Sequence, residues 1–118
     1  MPHLLMEYTD NLYVEPKAAL RALNRVLIAS GEFEPDHIKS RALCHHDYCV
    51  GDGEADAFVH LTLSLLSGRT MAVRAALAEN LVAALTPLLQ AGVRLQITAD
   101  VRELERECYG KAVLFGHG

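Results

Sequence analysis

Apolar positions recur along the chain with two different periods, and the switches between them divide it into six segments. Residues 2 to 8 alternate, with His3, Leu5 and Glu7 against Leu4, Met6 and Tyr8, and then meet the turn-forming run Thr9-Asp10-Asn11. That alternation predicts a short first strand. From Pro16, a residue suited to the first turn of a helix, Leu20, Leu23 and Leu27 recur at helical spacing until Gly31, with Arg21 and Arg25 turned elsewhere. The spacing predicts a helix of about four turns. After the polar stretch Glu34-Pro35-Asp36, residues Ile38 to Val50 place Ile38, Ala42, Cys44 and Tyr48 on one parity and Lys39, Arg41, Leu43 and His45 on the other. They read as a long strand.

Gly51-Asp52-Gly53 is a strong turn signal, and from Ala57 to Leu66 the residues Val59, Leu61, Leu63 and Leu65 share one face. The simplest expectation is a hairpin between this strand and the one before it. Ser67-Gly68-Arg69-Thr70 breaks the strand, and Leu77, Leu81, Leu85 and Leu88, widened by Val82 and Leu89, predict a second helix. Pro87 should bend or shorten its end. Gly92 closes the helix, and Val93, Leu95 and Ile97 alternate with Arg94, Gln96 and Thr98 as a fourth strand. From Asp100 the pattern assigns nothing.

The order is strand, helix, strand, then strand, helix, strand again: a duplicated βαβ arrangement. A helix joining two strands of one unit makes them parallel neighbours. The expected class is α/β (α+β), a four-stranded mixed sheet with two helices on one face. No Pro-, Ser- or Gly-rich linker interrupts residues 1–118, so a single domain is expected. The chain is 51% hydrophobic, with four Tyr, three Phe and no Trp, so its core must be built from Leu, Ala and Val. So small a domain buries a limited share of its surface, and the second sheet face is expected to meet neighbouring subunits through apolar positions.

Charge narrows the partners. Eleven Lys and Arg against fifteen Asp and Glu leave a formal net charge of -4, which supplies no basic field for nucleic acid. No run of about eighteen uninterrupted apolar residues and no basic-then-apolar leader is seen, so no membrane partner and a cytoplasmic location are expected. Three cysteines, Cys44, Cys49 and Cys108, do not make a disulfide framework. Cys44, His45, His46, Asp47 and Cys49 invite a metal reading, but strand alternation sets Cys44 and His46 on one face and Cys49 on the other, with no second ligand pair elsewhere. No metal is expected. Neither a phosphate loop nor a GxSxG elbow occurs.

The opening PHLLMEYTDNL, the segment IKSRA at 38 to 42 and the segment DAFVHLTLSLLSGRT at 56 to 70, taken with their spacing, resemble the 5-carboxymethyl-2-hydroxymuconate Δ-isomerase family of the tautomerase superfamily. The resemblance covers nearly the whole chain and is weakest after residue 100. It implies a trimer of βαβ duplications, and a proton shift between carbon atoms of a polycarboxylated dienol in bacterial homoprotocatechuate degradation. It implies neither metal nor organic cofactor.

Residue chemistry fits that implication. Pro2 is small enough to let Met1 be removed, which would leave a chain beginning with a secondary amine. Desolvation and nearby cations can bring such an amine toward neutrality, where it serves as a general base on a rigid ring. A substrate with three carboxylates calls for cations, and Lys39, Arg41 and Arg69 are the candidates. Lys39 and Arg41 lie two apart on one strand and share a face, while Arg69 lies at a strand-to-helix junction. At position 39 the family commonly has arginine, and here a point charge replaces a fork. His60 and His3 read as hydrogen-bonded structural histidines, with His3 close enough to Pro2 for a part in shaping the pocket to stay open, and Glu7 as a partner for a cation. Two other readings stay open: a proline-based tautomerase acting on a smaller keto-enol substrate, and a noncatalytic trimer that binds anions.

Overall fold

The computed structural model describes residues 1–53 and 56–116. Its main elements are β1 (His3–Thr9), α1 (Pro16–Ala29), β2 (Lys39–His45), β3 (Ala57–Leu66), α2 (Met71–Leu85) and β4 (Leu95–Leu104), with short 3-10 turns at Pro35–His37, Thr86–Leu88 and Arg106–Cys108. The sheet order is β2-β1-β3-β4. β1 runs parallel to β2, β3 runs parallel to β4, and the two units join through the antiparallel pair β1 and β3. The duplicated βαβ expectation is realised, with both helices on one face.

The expected hairpin is not formed. β1 lies between β2 and β3, because the parallel partner of each unit occupies one side of its strand and leaves β1 and β3 to close the middle. The Gly51 turn exists, with φ +60 at Gly51 and Gly53 N–H donating to the Val50 carbonyl at 3.0 Å, but it is local. β2 also stops at His45 rather than running to Val50. Its one neighbour, β1, ends at Thr9 opposite His45, so the backbone beyond has no ladder to join. Asp10 instead gathers that segment, taking hydrogen bonds from the Tyr48 hydroxyl at 2.6 Å and His46 Nδ1 at 2.8 Å.

Each helix starts where a side chain can satisfy its free amides. Glu15 accepts from Ala18 N–H at 2.7 Å ahead of Pro16, and Thr70 accepts from Val73 N–H at 3.2 Å. α1 buries Ala19, Leu23 and Leu27, so Leu20 sits at the rim of its stripe. α2 buries Leu77, Leu81 and Leu85, and Pro87 turns the expected last residues into a 3-10 turn that leaves Leu88 partly exposed. The stretch Met71–Leu88 is long and apolar enough by length and composition to cross a membrane. It carries Arg74 and Glu79, however, and those three leucines pack into the core.

That core joins Leu4 and Met6 of β1 and Val59, Leu61, Leu63 and Leu65 of β3 to both helices. The helix side takes the buried apolar positions, and the second sheet face is mixed: Leu43, which the register sets beside Glu7, is half-exposed there among polar neighbours. There Glu7 meets His45 at 3.0 Å, and His60 bonds Asp100 at 2.8 Å and Thr98 at 2.7 Å. Other well-exposed apolar side chains include Met71 and, along the tail, Val113, Leu114 and Phe115.

One buried polar group extends the central strand pair. Backbone pairing of β1 with β3 ends at Tyr8 and Val59, and the fully buried Thr9 hydroxyl then takes over, accepting from Phe58 N–H at 3.1 Å and donating to the Phe58 carbonyl at 3.4 Å. Thr9→Val should therefore cost about 1–3 kcal/mol, because both Phe58 groups lose a partner away from water. Urea denaturation that matches the wild type would disprove this.

Candidate active site

Strand directions bring distant residues to one edge of the sheet. The parallel pair sets His3 beside Lys39, the antiparallel pair sets His3 beside Ser64, and the second parallel pair sets Leu66 beside Leu104. The starts of β1 and β2 and the ends of β3 and β4 therefore converge, together with the tail that follows β4. Two adjoining cavities open there. One, of about 410 Å³, is lined by Met1, Gly31 to Glu34, His37, Leu66, Arg69, Arg106, Tyr109 and Lys111. The other, of about 540 Å³, takes in Asp36, His37, Lys39 and the tail from Tyr109 to Leu114.

Pro2 is fully buried at this edge, and its carbonyl accepts from Lys39 N–H at 3.1 Å. Met1, one residue before it, forms part of the first cavity's wall. Partial burial holds the amino-terminal ammonium below the ordinary α-amino range, and the charges of Lys39 and Lys111 lower it further. An amine at this place is therefore pushed toward its neutral form.

The three cations named from sequence have separate surroundings. Lys39 lines the second cavity, and its Nζ donates to the His37 carbonyl at 2.8 Å. Arg69 lines the first but is engaged at all three nitrogens: Nε with the Glu32 carboxylate at 3.0 Å, Nη2 with the Glu32 carbonyl at 2.7 Å and Nη1 with the Leu66 carbonyl at 3.3 Å. Its guanidinium also lies 4.6 Å from the Phe33 ring centre. Arg69 thus clamps the loop after α1 against the end of β3. Gly68, at φ +126, supplies the backbone turn just before it. Arg41 lines neither cavity; its Nη1 lies 3.2 Å from His3 Nδ1.

Sequence reasoning missed Arg106, Tyr109 and Lys111. Arg106 Nε donates to the Ser67 carbonyl at 3.0 Å, and neither Arg106 nor Lys111 forms an ion pair among the described residues. Among the described residues, these two cations and Lys39 line the cavities without a carboxylate partner; Arg41, outside both cavities, has none either. The cysteine-histidine segment gathers no ligand set among the described residues; His45 and His46 bond Glu7 and Asp10, and the Cys49 thiol donates toward the Gly51 and Gly53 carbonyls.

The family model of 5-carboxymethyl-2-hydroxymuconate isomerase matches residues 2–113, from Pro2 through both cavities to the tail. The chain belongs to that family. It is 34% identical to the 5-carboxymethyl-2-hydroxymuconate isomerase from Deinococcus radiodurans R1, whose crystal structure superposes with a TM-score of 0.82 over 94% of this chain and 88% of that one. A 5-carboxymethyl-2-hydroxymuconate delta-isomerase at 22% identity shares the fold, with a TM-score of 0.71 over 98% and 89% of the two chains. So does a fused 4-OT symmetric trimer at 20% identity, with a TM-score of 0.77 over 93% and 91%. No curated protein sequence matches the chain significantly. Membership makes the protein an isomerase of the tautomerase superfamily.

Proposed function

We propose that the protein, after loss of Met1, shifts a double bond in 5-carboxymethyl-2-hydroxymuconate during homoprotocatechuate degradation, with the Pro2 nitrogen as general base. The observation that carries this reading is the position of the amino terminus: partly desolvated, in a cavity wall, with Lys39 and Lys111 lowering its pKa. Removing Met1 would make the Pro2 nitrogen the terminus. In neutral form it would take the acidic proton at one end of the conjugated system and return it to carbon at the other. Base and acid are then the same atom. Negative charge grows on the dienolate oxygen between the two transfers, and cations facing the cavity stabilise it without having to reorganise.

The substrate's carboxylates would be held by Lys39, by Arg69 through whatever contact Glu32 leaves it, and by Arg106 and Lys111, which have no ion pair among the described residues. Arg41 stands outside both cavities, against His3. The exposed apolar tail residues Val113, Leu114 and Phe115 and the mixed second sheet face, with Leu43 exposed, suit contacts with further copies of the chain. A homotrimer is the assembly we infer, as in the fused 4-OT relative.

The substrate assignment is tested with Met-free protein by following the ultraviolet change of the tricarboxylate dienol beside ketonisation of a monocarboxylate enol. Faster turnover of the tricarboxylate is expected. Preference for the monocarboxylate would favour a tautomerase of smaller substrates, and inactivity on both would favour an anion-binding trimer.

A further inference from the structure

Tyr109 is half-buried in the walls of both cavities, and among the described residues its hydroxyl makes one hydrogen bond, with His3 Nε2 at 3.1 Å. The other ring nitrogen of His3, Nδ1, lies 3.2 Å from Arg41 Nη1. A guanidinium only donates, so Nδ1 must accept and carries no proton. In neutral His3 the proton is therefore on Nε2, which makes that nitrogen the donor and the Tyr109 oxygen the acceptor. The phenol's own O–H is left with no acceptor among the described residues, in a wall facing both cavities.

His3 stays in this neutral form at neutral pH, since burial and the charges of Arg41, the amino terminus and Lys39 all lower its pKa. The direction of the relay is fixed from Arg41 through His3 to Tyr109. A hydroxyl that accepts one hydrogen bond is a stronger donor of the next.

We propose that Tyr109 is a catalytic residue whose hydroxyl donates to the oxyanion of the bound dienolate, and that His3 and Arg41 are positioning residues that hold its proton toward the cavity. The inference rests on the proton-shift reading above. It adds a neutral donor at the reacting oxygen, while the cations hold carboxylates. A neutral donor there binds the charged intermediate better than the ground state, so it acts on kcat more than on KM. It also gives Arg41, which lines neither cavity, a part in the reaction.

The test is steady-state kinetics on the tricarboxylate dienol with Tyr109→Phe, His3→Leu, His3→Gln and the double variant His3→Leu/Tyr109→Phe, each checked for wild-type circular dichroism. Tyr109→Phe should lower kcat about tenfold to a hundredfold with KM within about twofold. His3→Leu should lower kcat in the same direction but less. His3→Gln, which keeps one acceptor for Arg41 and one donor for Tyr109, should recover most of the loss. The double variant should be no worse than Tyr109→Phe alone, since the relay acts only through the hydroxyl. An unchanged kcat in Tyr109→Phe, or a His3→Leu loss that persists in full without the hydroxyl, overturns the proposal. Should Tyr109→Phe not fold, failure of His3→Gln to outperform His3→Leu overturns it equally. A Met1-retaining protein that keeps full activity would instead sink the proline-base reading, so the two failures are separable.

Discussion

Protein that retains Met1 should isomerise the tricarboxylate dienol about 10²–10⁴-fold more slowly than the same chain with Met1 removed, the range that a positioned general base contributes. With Met1 attached, the Pro2 nitrogen is a tertiary amide with no basic lone pair. Met1 also stands in the wall of the smaller cavity, where it would compete with substrate for space. Intact mass spectrometry and a rate measurement on one sample give both quantities, and the rate should scale with the processed fraction. Pro2→Ala should lose less, because an alanine terminus keeps a primary amine near the same cations. What it gives up is the ring that fixes the nitrogen. Equal rates for processed and unprocessed protein would remove the amine from the mechanism.

Leu61→Ala should produce the largest loss of stability among single core substitutions, about 2–5 kcal/mol. Leu61 is fully buried in β3, an inner strand flanked by β1 and β4, and belongs to the cluster that joins the sheet to both helices. Truncation there leaves a void that strands held on both sides cannot collapse to fill. Urea midpoints should be compared at one fixed protein concentration, since association with other copies adds to apparent stability. A loss below about 1 kcal/mol would mean that the helices close over the gap.

What the sequence made legible was what repeats. Leu23 and Leu27 on one helix, Leu77, Leu81 and Leu85 on the other, and the alternating Val59 to Leu65 all fall where their periods put them. The neighbours of a strand are not encoded in its period, which is why adjacency in sequence suggested a hairpin where β1 intervenes. The end of β2 was illegible for a related reason: it depends on where β1 stops pairing, not on residues 46 to 50.

At the candidate site the same division holds. Pro2, Lys39 and Arg69 could be named from local sequence and family likeness, and they do come to one edge. That Arg69 spends its guanidinium on Glu32, 37 positions away, could not be read from either segment alone. Arg106, Tyr109 and Lys111 follow β4 in a stretch without periodicity, so nothing marked them. Strand direction could have found them: once β4 is known to run parallel to β3, whatever follows Leu104 must arrive beside Leu66 and Arg69.

A sheet made from two copies of one unit also has two ends of similar construction. At the site end, Lys39 N–H donates to the Pro2 carbonyl; at the far end, Ala57 N–H donates to the Arg94 carbonyl at 2.9 Å, and Arg94 pairs with Asp56 at 3.3 Å. Only one end can hold an amino terminus, because joining two units into one polypeptide turns the second unit's leading nitrogen into an amide. The far end therefore carries no terminal amine, and its Arg94 and Asp56 are engaged with each other.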